Sequence, residues 1–336
     1  MSASPSPTLQ SIADACGTNR MTVSLALRGR AGVAEETKAR VLAEAERQGY
    51  RPNPLVSALM ARLRGGRTPR YQATLGLIHA APTADWKKMF PACRQFDAGL
   101  RARTAQLGYG VEVVWLRAEK WAGGGVERAL KGRGIDGLMV APLPGGTSEL
   151  GFDFSGFAVA AIGQSLLTPV LHSAAPNYFR TIELGLERLA AAGRRRVGLA
   201  LEPTLDERSR HQWLGAYLGC QAAAGGGPMP LLRTADAREF LAWVREERLD
   251  ALLSADTQHL EWLRAAGVTV PGRVAYACFT RAAEMRGVAG VANNPAAIAA
   301  AAVDMVVAQL HRNERGVPAE PRVLQIAPHW EDGETA

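Results

Sequence analysis

Cysteine is scarce in this chain of 336 residues: Cys16, Cys93, Cys220 and Cys278 stand far apart, with no C-x-x-C pair. That spacing signals neither a zinc site nor a disulfide framework and reads as free thiols in a reducing compartment. Long apolar runs are missing as well. No stretch of about 18 uncharged apolar residues occurs, and the opening MSASPSPTLQ has neither the basic nor the apolar region of a secretory leader, so a cytoplasmic location without a membrane partner is expected. Catalytic signatures are equally thin. There is no G-x-x-x-x-G-K-[ST] phosphate loop, H-E-x-x-H or G-x-S-x-G elbow, and the six histidines never pair at metal-ligand spacing. The glycine runs at 123–125 and 225–227 lack a flanking strand and read as flexible loops. A protein without enzymatic activity, metal or cofactor is expected.

What is present is a hydrophobic content of 47%, enough for a sizeable core beside a smaller unit, in a length that exceeds one average domain. The net charge of +7 is unevenly spread. Residues 1–67 hold ten Lys and Arg against five acids, an excess of +5, whereas the remaining 269 residues hold 29 bases against 27 acids, only +2. A positive potential confined to one end suits a polyanion such as DNA, and an ordinary solvated basic face would give the same count, so the motif must decide.

The segment TLQSIADACGTNRMTVSLALRG, Thr8 to Gly29, places Leu9, Ile12 and Ala13 on one helical face and Val23, Ala26 and Leu27 on a second, with Gly17 between them. Two short helices meet across a turn in which glycine supplies a positive φ, and Thr8 can cap the first. A third helix is predicted from Glu35 to Gln48, with Val41, Leu42 and Ala45 inward, acids in its first turn, and Gly49 just past its end. Such a three-helix unit can be purely structural. As a helix-turn-helix it would lay its second helix, about Arg20 to Leu27, in the major groove with its N-terminal side chains toward base edges. Beyond it, in GYRPNPLVSALMARLRGGR, Asn53 can cap and Pro54 can open a short helix running toward Arg62. Under about ten residues such a helix is marginal alone and should form when something packs on it, a DNA minor groove being one candidate.

Three motifs, T-L-x-x-I-A-x-x-x-G-x-x-x-x-T-V-S-x-A-L, then V-x-x-E-T, then G-Y-x-P-N, together resemble the LacI/GalR family of transcription regulators. The resemblance is strong through about residue 67 and looser beyond. It implies base reading by Asn19, Arg20, Met21 and Leu25, and phosphate contacts from Thr8, Thr22, Ser24, Arg28, Thr37 and Asn53. It also implies that Leu59, with Val56 beside it, wedges between base steps in the minor groove; a leucine of a dimer core is the other reading. Leu25 stands where many members carry Arg or His, so specificity should lean on Arg20 against guanine and on apolar contacts from Met21 and Leu25. Ala34 replaces the usual serine cap before Glu35, a local loss of about 1 kcal/mol.

From Tyr71 onward short apolar runs (TLGLIHA, GVEVVWL, DGLMVAP, AVAAIG, RVGLAL, DALLSA, RVAYACF) alternate with amphipathic helices near Pro91–Leu107, Phe179–Ala192, Asp206–Ala224, Arg238–Glu247, Thr257–Ala266 and Pro295–Arg312. Alternation of this kind means βαβ units, parallel sheets wound on both faces, and ligands at the carboxyl ends of strands. The predicted fold is therefore an all-α helix-turn-helix headpiece (1–50), a hinge helix and linker (51–70), and an α/β domain (71–336). By the resemblance that domain has two periplasmic-binding-protein-like lobes around a cleft. The lobes are expected at about 71–171 with 292–318 and 172–291 with 319–336, the chain crossing near His172, Val291 and Pro318.

The resemblance further implies a repressor whose operator affinity responds to a small-molecule effector, a sugar or another metabolite, in the cleft. Its partners would be a palindromic double-stranded operator and a second copy of the chain, with a tetramer left open. The alternative is a non-enzymatic sugar-binding protein whose headpiece is only a nonspecific DNA tether. Most of the family's polyol-gripping set is missing: Trp213 stands where an arginine precedes an aromatic, here Tyr217, by four residues; Ala255-Asp256 replaces Asn-Asp; and Cys278-Phe279 occupies the place of a later aspartate. Candidates to line the cleft are Trp86, Arg208, Arg210, Trp213 and Asp256, since a Trp and Arg pair can hold a sugar, an aromatic or an acidic ligand. Equally, Trp213 can be packing and the two arginines surface charges.

Overall fold

The computed structural model describes residues 9–27, 33–48, 73–225, 230–233 and 236–336. Its N-terminal part is three helices, α1 (Leu9–Ala15), α2 (Arg20–Leu27) and α3 (Glu35–Arg47). The turn from α1 to α2 runs through Gly17 at φ +62°, where any side chain would be strained. Ile12, Ala13, Cys16, Val23, Ala26, Val41 and Ala45 interlock as the core. Leu42, expected inward, is 43% exposed. It follows Val41 by one residue, about 100° around the helix, and that turn carries it off the face that Val41 and Ala45 bury. The start of α3 at Ala34 has extended backbone but no side-chain cap bond.

From Ala73 the chain builds two sheets of six strands. In the first, β1 (Ala73–His79), β2 (Tyr109–Trp115), β3 (Gly137–Val140), β4 (Ala158–Ile162), β5 (His172–Pro176) and β11 (Val323–Ile326) lie in the order β11-β5-β4-β3-β1-β2, all parallel. In the second, β6 (Val197–Ala200), β7 (Leu231–Leu232), β8 (Ala251–Ser254), β9 (Ala275–Arg281), β10 (Gly290–Ala292) and β12 (His329–Glu331) lie in the order β12-β10-β9-β8-β6-β7. Only β12 runs antiparallel, against β10. Strands β3, β4, β6 and β8 are buried at every residue, as expected of strands covered on both faces.

Helices α4 (Ala92–Gln106) and α11 (Pro295–Arg312) pack on one face of the first sheet, and α5 (Val126–Gly132) packs on the other with Phe152, Phe154 and Phe157. Helices α6 (Tyr178–Ala191) and α8 (Gln212–Ala223) cover one face of the second sheet, α9 (Ala237–Glu246) and α10 (Gln258–Ala265) the other. The buried amide of Gln309 on α11 accepts from Val159 N–H at 3.1 Å and donates to Val159 O at 3.0 Å, fixing α11 to β4.

The first and third crossings differ from those expected, and the second falls where expected. Both β5 and β11 belong to the first sheet, in parallel register with each other, so the chain leaves that sheet after Pro176 rather than near His172. It leaves again between Ile326 and His329 rather than near Pro318, and the return crossing follows Ala292. Strands β5, β7, β10, β11 and β12 were not anticipated. They are two to five residues long, and two of them, HSAAP and HWE, carry little apolar signal. Gly124 and Gly125, read as flexible loop, sit at φ +82° and +87°, with Gly125 capping α5.

Two substitutions probe this architecture. At Gly99 on α4 a Cβ would collide with the backbone Cα and O of Ala296 at the start of α11, atoms that cannot rotate away. Gly99→Ala should cost about 1–3 kcal/mol, seen as a lower denaturation midpoint of the α/β domain. Ala34→Ser should add about 1 kcal/mol to the headpiece, slowing hydrogen exchange of the α3 amides roughly fivefold.

Candidate functional site

Of the residues assigned to DNA contact, Arg20, Met21, Thr22, Ser24 and Leu25 lie on α2, with Thr22 and Leu25 half-buried; Thr37 lies half-buried in the first turn of α3. Asn19 has a duty of its own. Its Oδ1 accepts from Thr22 N–H at 2.8 Å and from the Thr22 hydroxyl at 3.1 Å, so it caps α2 and ties up a second residue of the set. Thr8, Arg28, Asn53, Val56 and Leu59 lie outside the described residues.

The second site is a cavity of about 690 Å³ between the two sheets. Its walls come from the carboxyl ends of strands: Pro142, Gly163 and Pro176 from the first sheet, Ala200, Asp256 and Thr280 from the second. Asn293, at the return crossing, accepts from the Thr181 hydroxyl at 2.6 Å and donates to Phe279 O at 2.7 Å. Across the mouth, Gln212 Nε2 donates to Gln164 Oε1 at 2.6 Å and Gln95 Nε2 to Glu284 Oε2 at 3.4 Å.

One helix was expected from Asp206 to Ala224; two form. Helix α7 (Pro203–Arg208) ends, Arg210 and His211 take φ of 56° and 59°, and α8 begins at Gln212. The fully buried Asp206 holds the break. Its Oδ2 accepts from His211 Nδ1 at 2.8 Å and from Arg233 Nη2 at 3.0 Å, while its carbonyl accepts from His211 N–H at 2.9 Å and the Ser209 hydroxyl at 2.8 Å. Arg208 thereby turns into the cavity, its guanidinium 4.4 Å from the centre of the Phe90 ring on the opposite lobe. Burial pushes its pKa down from the usual arginine value. Arg210 does not join it: the residue is exposed, outside the cavity, because the left-handed turn directs it to solvent.

Trp86 is a second correction. It sits in a short 3-10 turn, 2% exposed, inside the core of the first lobe and away from the cavity. Trp213 does line the cavity, but chiefly as packing, edge-on to Tyr178 at 5.0 Å and Phe279 at 5.1 Å. Asp256 lines it too, exposed, with Oδ1 accepting from Gln258 N–H at 2.9 Å. Sequence reading missed Phe90, Gln164, Tyr178, Trp262 and Arg281 in the lining. The guanidinium of Arg281 is engaged, pairing with Glu331 and donating from Nε to Val288 O at 2.8 Å. Among the described residues no group of three or more His, Cys, Asp or Glu could hold a metal ion, and no helix is long and apolar enough to cross a membrane.

A helix-turn-helix unit joined to two doubly wound lobes that enclose a cavity defines a class: regulators that couple a DNA-binding headpiece to a ligand-binding body. Comparison narrows the class. Residues 8–53 match the bacterial regulatory proteins of the lacI family, and residues 186–335 match the periplasmic binding protein-like domain. The chain belongs to the LacI family of transcriptional regulators. It is 32% identical over 142 residues to the HTH-type transcriptional regulator Rv3575c of Mycobacterium tuberculosis, a match spanning 41% of this chain and 37% of that protein. Two solved structures share the fold over 98% of this chain at 18% identity. They are a transcriptional regulator CelR–cellobiose complex, matched over all of its chain with a TM-score of 0.58, and the lac repressor dimer bound to operator and the anti-inducer ONPF, matched over 99% with a TM-score of 0.57.

Beside Trp86 lies a titratable group that tests the packing of the first lobe. His79 is fully buried at the end of β1, its ring 6.5 Å from that of Trp86, and neither ring nitrogen has a hydrogen-bond partner. Burial pushes its pKa from 6.5 down to about 4. Between those values the unfolded chain binds the extra proton, so the stability present above about pH 6.5 is lost as pH falls toward 4. Burial shifts His259 and His172 the same way. The melting temperature should therefore fall from pH 7 to pH 4.5, and His79→Leu should show a shallower fall over that range.

Proposed function

We propose that the chain is a repressor that binds a palindromic operator as a homodimer and changes its operator affinity when a small molecule occupies the inter-lobe cavity. The single observation that carries this reading is the joining of α2, with Arg20 and Met21 in its first turn, to a body whose cavity is walled by both lobes. An occupant touching both walls has different contacts when the lobes move apart, and that difference is what shifts a two-state regulator. Arg20 reads guanine by a bidentate contact, Asn19 belongs to the same base-reading segment, Met21 and Leu25 make apolar contacts to base edges, and Thr22, Ser24 and Thr37 position the headpiece on the backbone. Thr8, Arg28, Asn53, Val56 and Leu59 are assigned by resemblance: the first three to phosphates, the last two to the minor groove. A dimer suits a palindrome because two-fold protein symmetry matches two-fold DNA symmetry, and the lac repressor structure is of a dimer on its operator. Bound at a promoter in the cytoplasm, such a dimer represses by occluding polymerase.

The test is selection of bound duplexes from a random pool, followed by titration of the recovered site. The wild type should prefer that site over random competitor, and log K should fall steeply and linearly with log salt as counterions leave the phosphates. Arg20→Ala should cost about 1–3 kcal/mol and relax the preference at one base pair of each half-site. Salt-dependent binding with no sequence preference would instead leave a nonspecific tether on a ligand-binding body.

A further inference from the structure

The cavity holds a cation that no carboxylate pairs with directly. Of its charged lining groups, Arg281 is paired with Glu331, Asp256 is exposed and caps α10, and Glu202 is exposed and accepts from the Thr204 hydroxyl at 2.5 Å. Arg208 is half-buried and, although Glu202 acts on it through space, no described carboxylate is within ion-pair distance of its guanidinium. It has no ion pair, no described residue accepts a hydrogen bond from its guanidinium, and its Nε is fully buried without a partner. A desolvated ion left unpaired is costly, and an arginine held this way is a receptor for an oxyanion. The guanidinium carbon lies over the Phe90 ring, 4.4 Å from its centre. Stacking uses the π face and leaves the in-plane N–H groups of Nη1 and Nη2 free, the edge that receives a carboxylate through two parallel bonds.

The rest of the lining answers a different part of a ligand. Phe90, Phe96, Tyr178, Trp213, Trp262 and Met285 supply rings and a thioether that bury hydrocarbon, while polar side chains among them such as Gln164, Ser165, His259 and Thr280 are already bonded within the protein.

We propose that the effector of this cleft is an apolar carboxylate, its carboxylate held by Arg208 and its hydrocarbon or aromatic body lying against the aromatic wall. The assignment rests on the reading of the cavity as the effector site and names the ligand class for it. Arg208 sits on the second lobe and its stacking partner Phe90 on the first, so a carboxylate on Arg208 is held at the seam where the lobes meet.

Intrinsic tryptophan fluorescence and calorimetry on the full-length protein test this with benzoate, phenylacetate and 3-phenylpropionate, each beside its neutral amide, with inorganic phosphate and cellobiose as controls. At least one carboxylate should bind, its amide at least tenfold more weakly. Arg208→Gln should lose tenfold to a hundredfold for the acid and little for the amide, and Arg208→Lys should recover part of the loss, both variants keeping the wild-type melting temperature within a few degrees. Failure of all three acids, or binding of phosphate as tight as theirs, overturns the assignment. Cellobiose binding that is unchanged in Arg208→Gln overturns the ligand class while leaving the cleft as the effector site. Acid binding that is equally strong in Arg208→Gln and in a cavity-filling Ala200→Trp variant places the ligand elsewhere and removes the cleft reading itself.

Discussion

A parallel sheet has one end at which its strands stop pointing, and everything a ligand meets in this protein is placed there. Both lobes are doubly wound, so their faces are sealed by helices and only the carboxyl ends of the strands remain open. Three crossings of the chain, after Pro176, after Ala292 and between Ile326 and His329, keep those two ends turned toward each other around one cavity. Asn293, itself in the cavity wall, ties α6 to β9 at the middle crossing, and β5 and β11 pair with each other beside the outer two. Three strands of chain between two rigid lobes permit them to move as bodies, which a ligand-gated regulator requires.

Within that frame the chemistry turns on one buried carboxylate. Asp206 never reaches the cavity, yet by gathering His211, Ser209 and Arg233 it ends α7 at Arg208. An unbroken helix would carry Arg208 and Arg210 on in α-helical register, about 200° apart. The break instead seats one arginine over Phe90 and leaves the other in solvent. The cation of the cleft is thus supplied by a loop whose shape is set from behind, by groups with no part in binding.

The headpiece follows a different economy. Seven small or medium side chains make its core, and the cap of the reading helix is Asn19, itself part of the surface that resemblance turns toward DNA. Folding and reading share residues there, because so short a unit has few to spare. The α/β body separates the two tasks in part: Arg208, Asp256 and Gln164 stand outside its core, whereas Phe96, Tyr178, Trp213 and Ile298 both fill the core and line the cavity.

Local pattern made much of this legible in the amino-acid sequence alone. The glycine at 17, the apolar spacing of α1 to α3 and the alternation of apolar runs with helices depend on neighbours within a few residues, and so the headpiece, the doubly wound class and seven of the twelve described strands could be read directly. Tertiary structure alone decided the rest. Strands as short as Leu231–Leu232 or His329–Glu331 exist only because a neighbouring strand offers hydrogen bonds, so the outer two crossings were invisible. Trp86 went to the core and Arg210 to solvent, whereas Phe90 and Tyr178 came to the ligand cavity, because burial is set by what the other lobe and the long-range ion pairs of Asp206 do, and a linear pattern carries no record of contacts between residues so far apart in the chain.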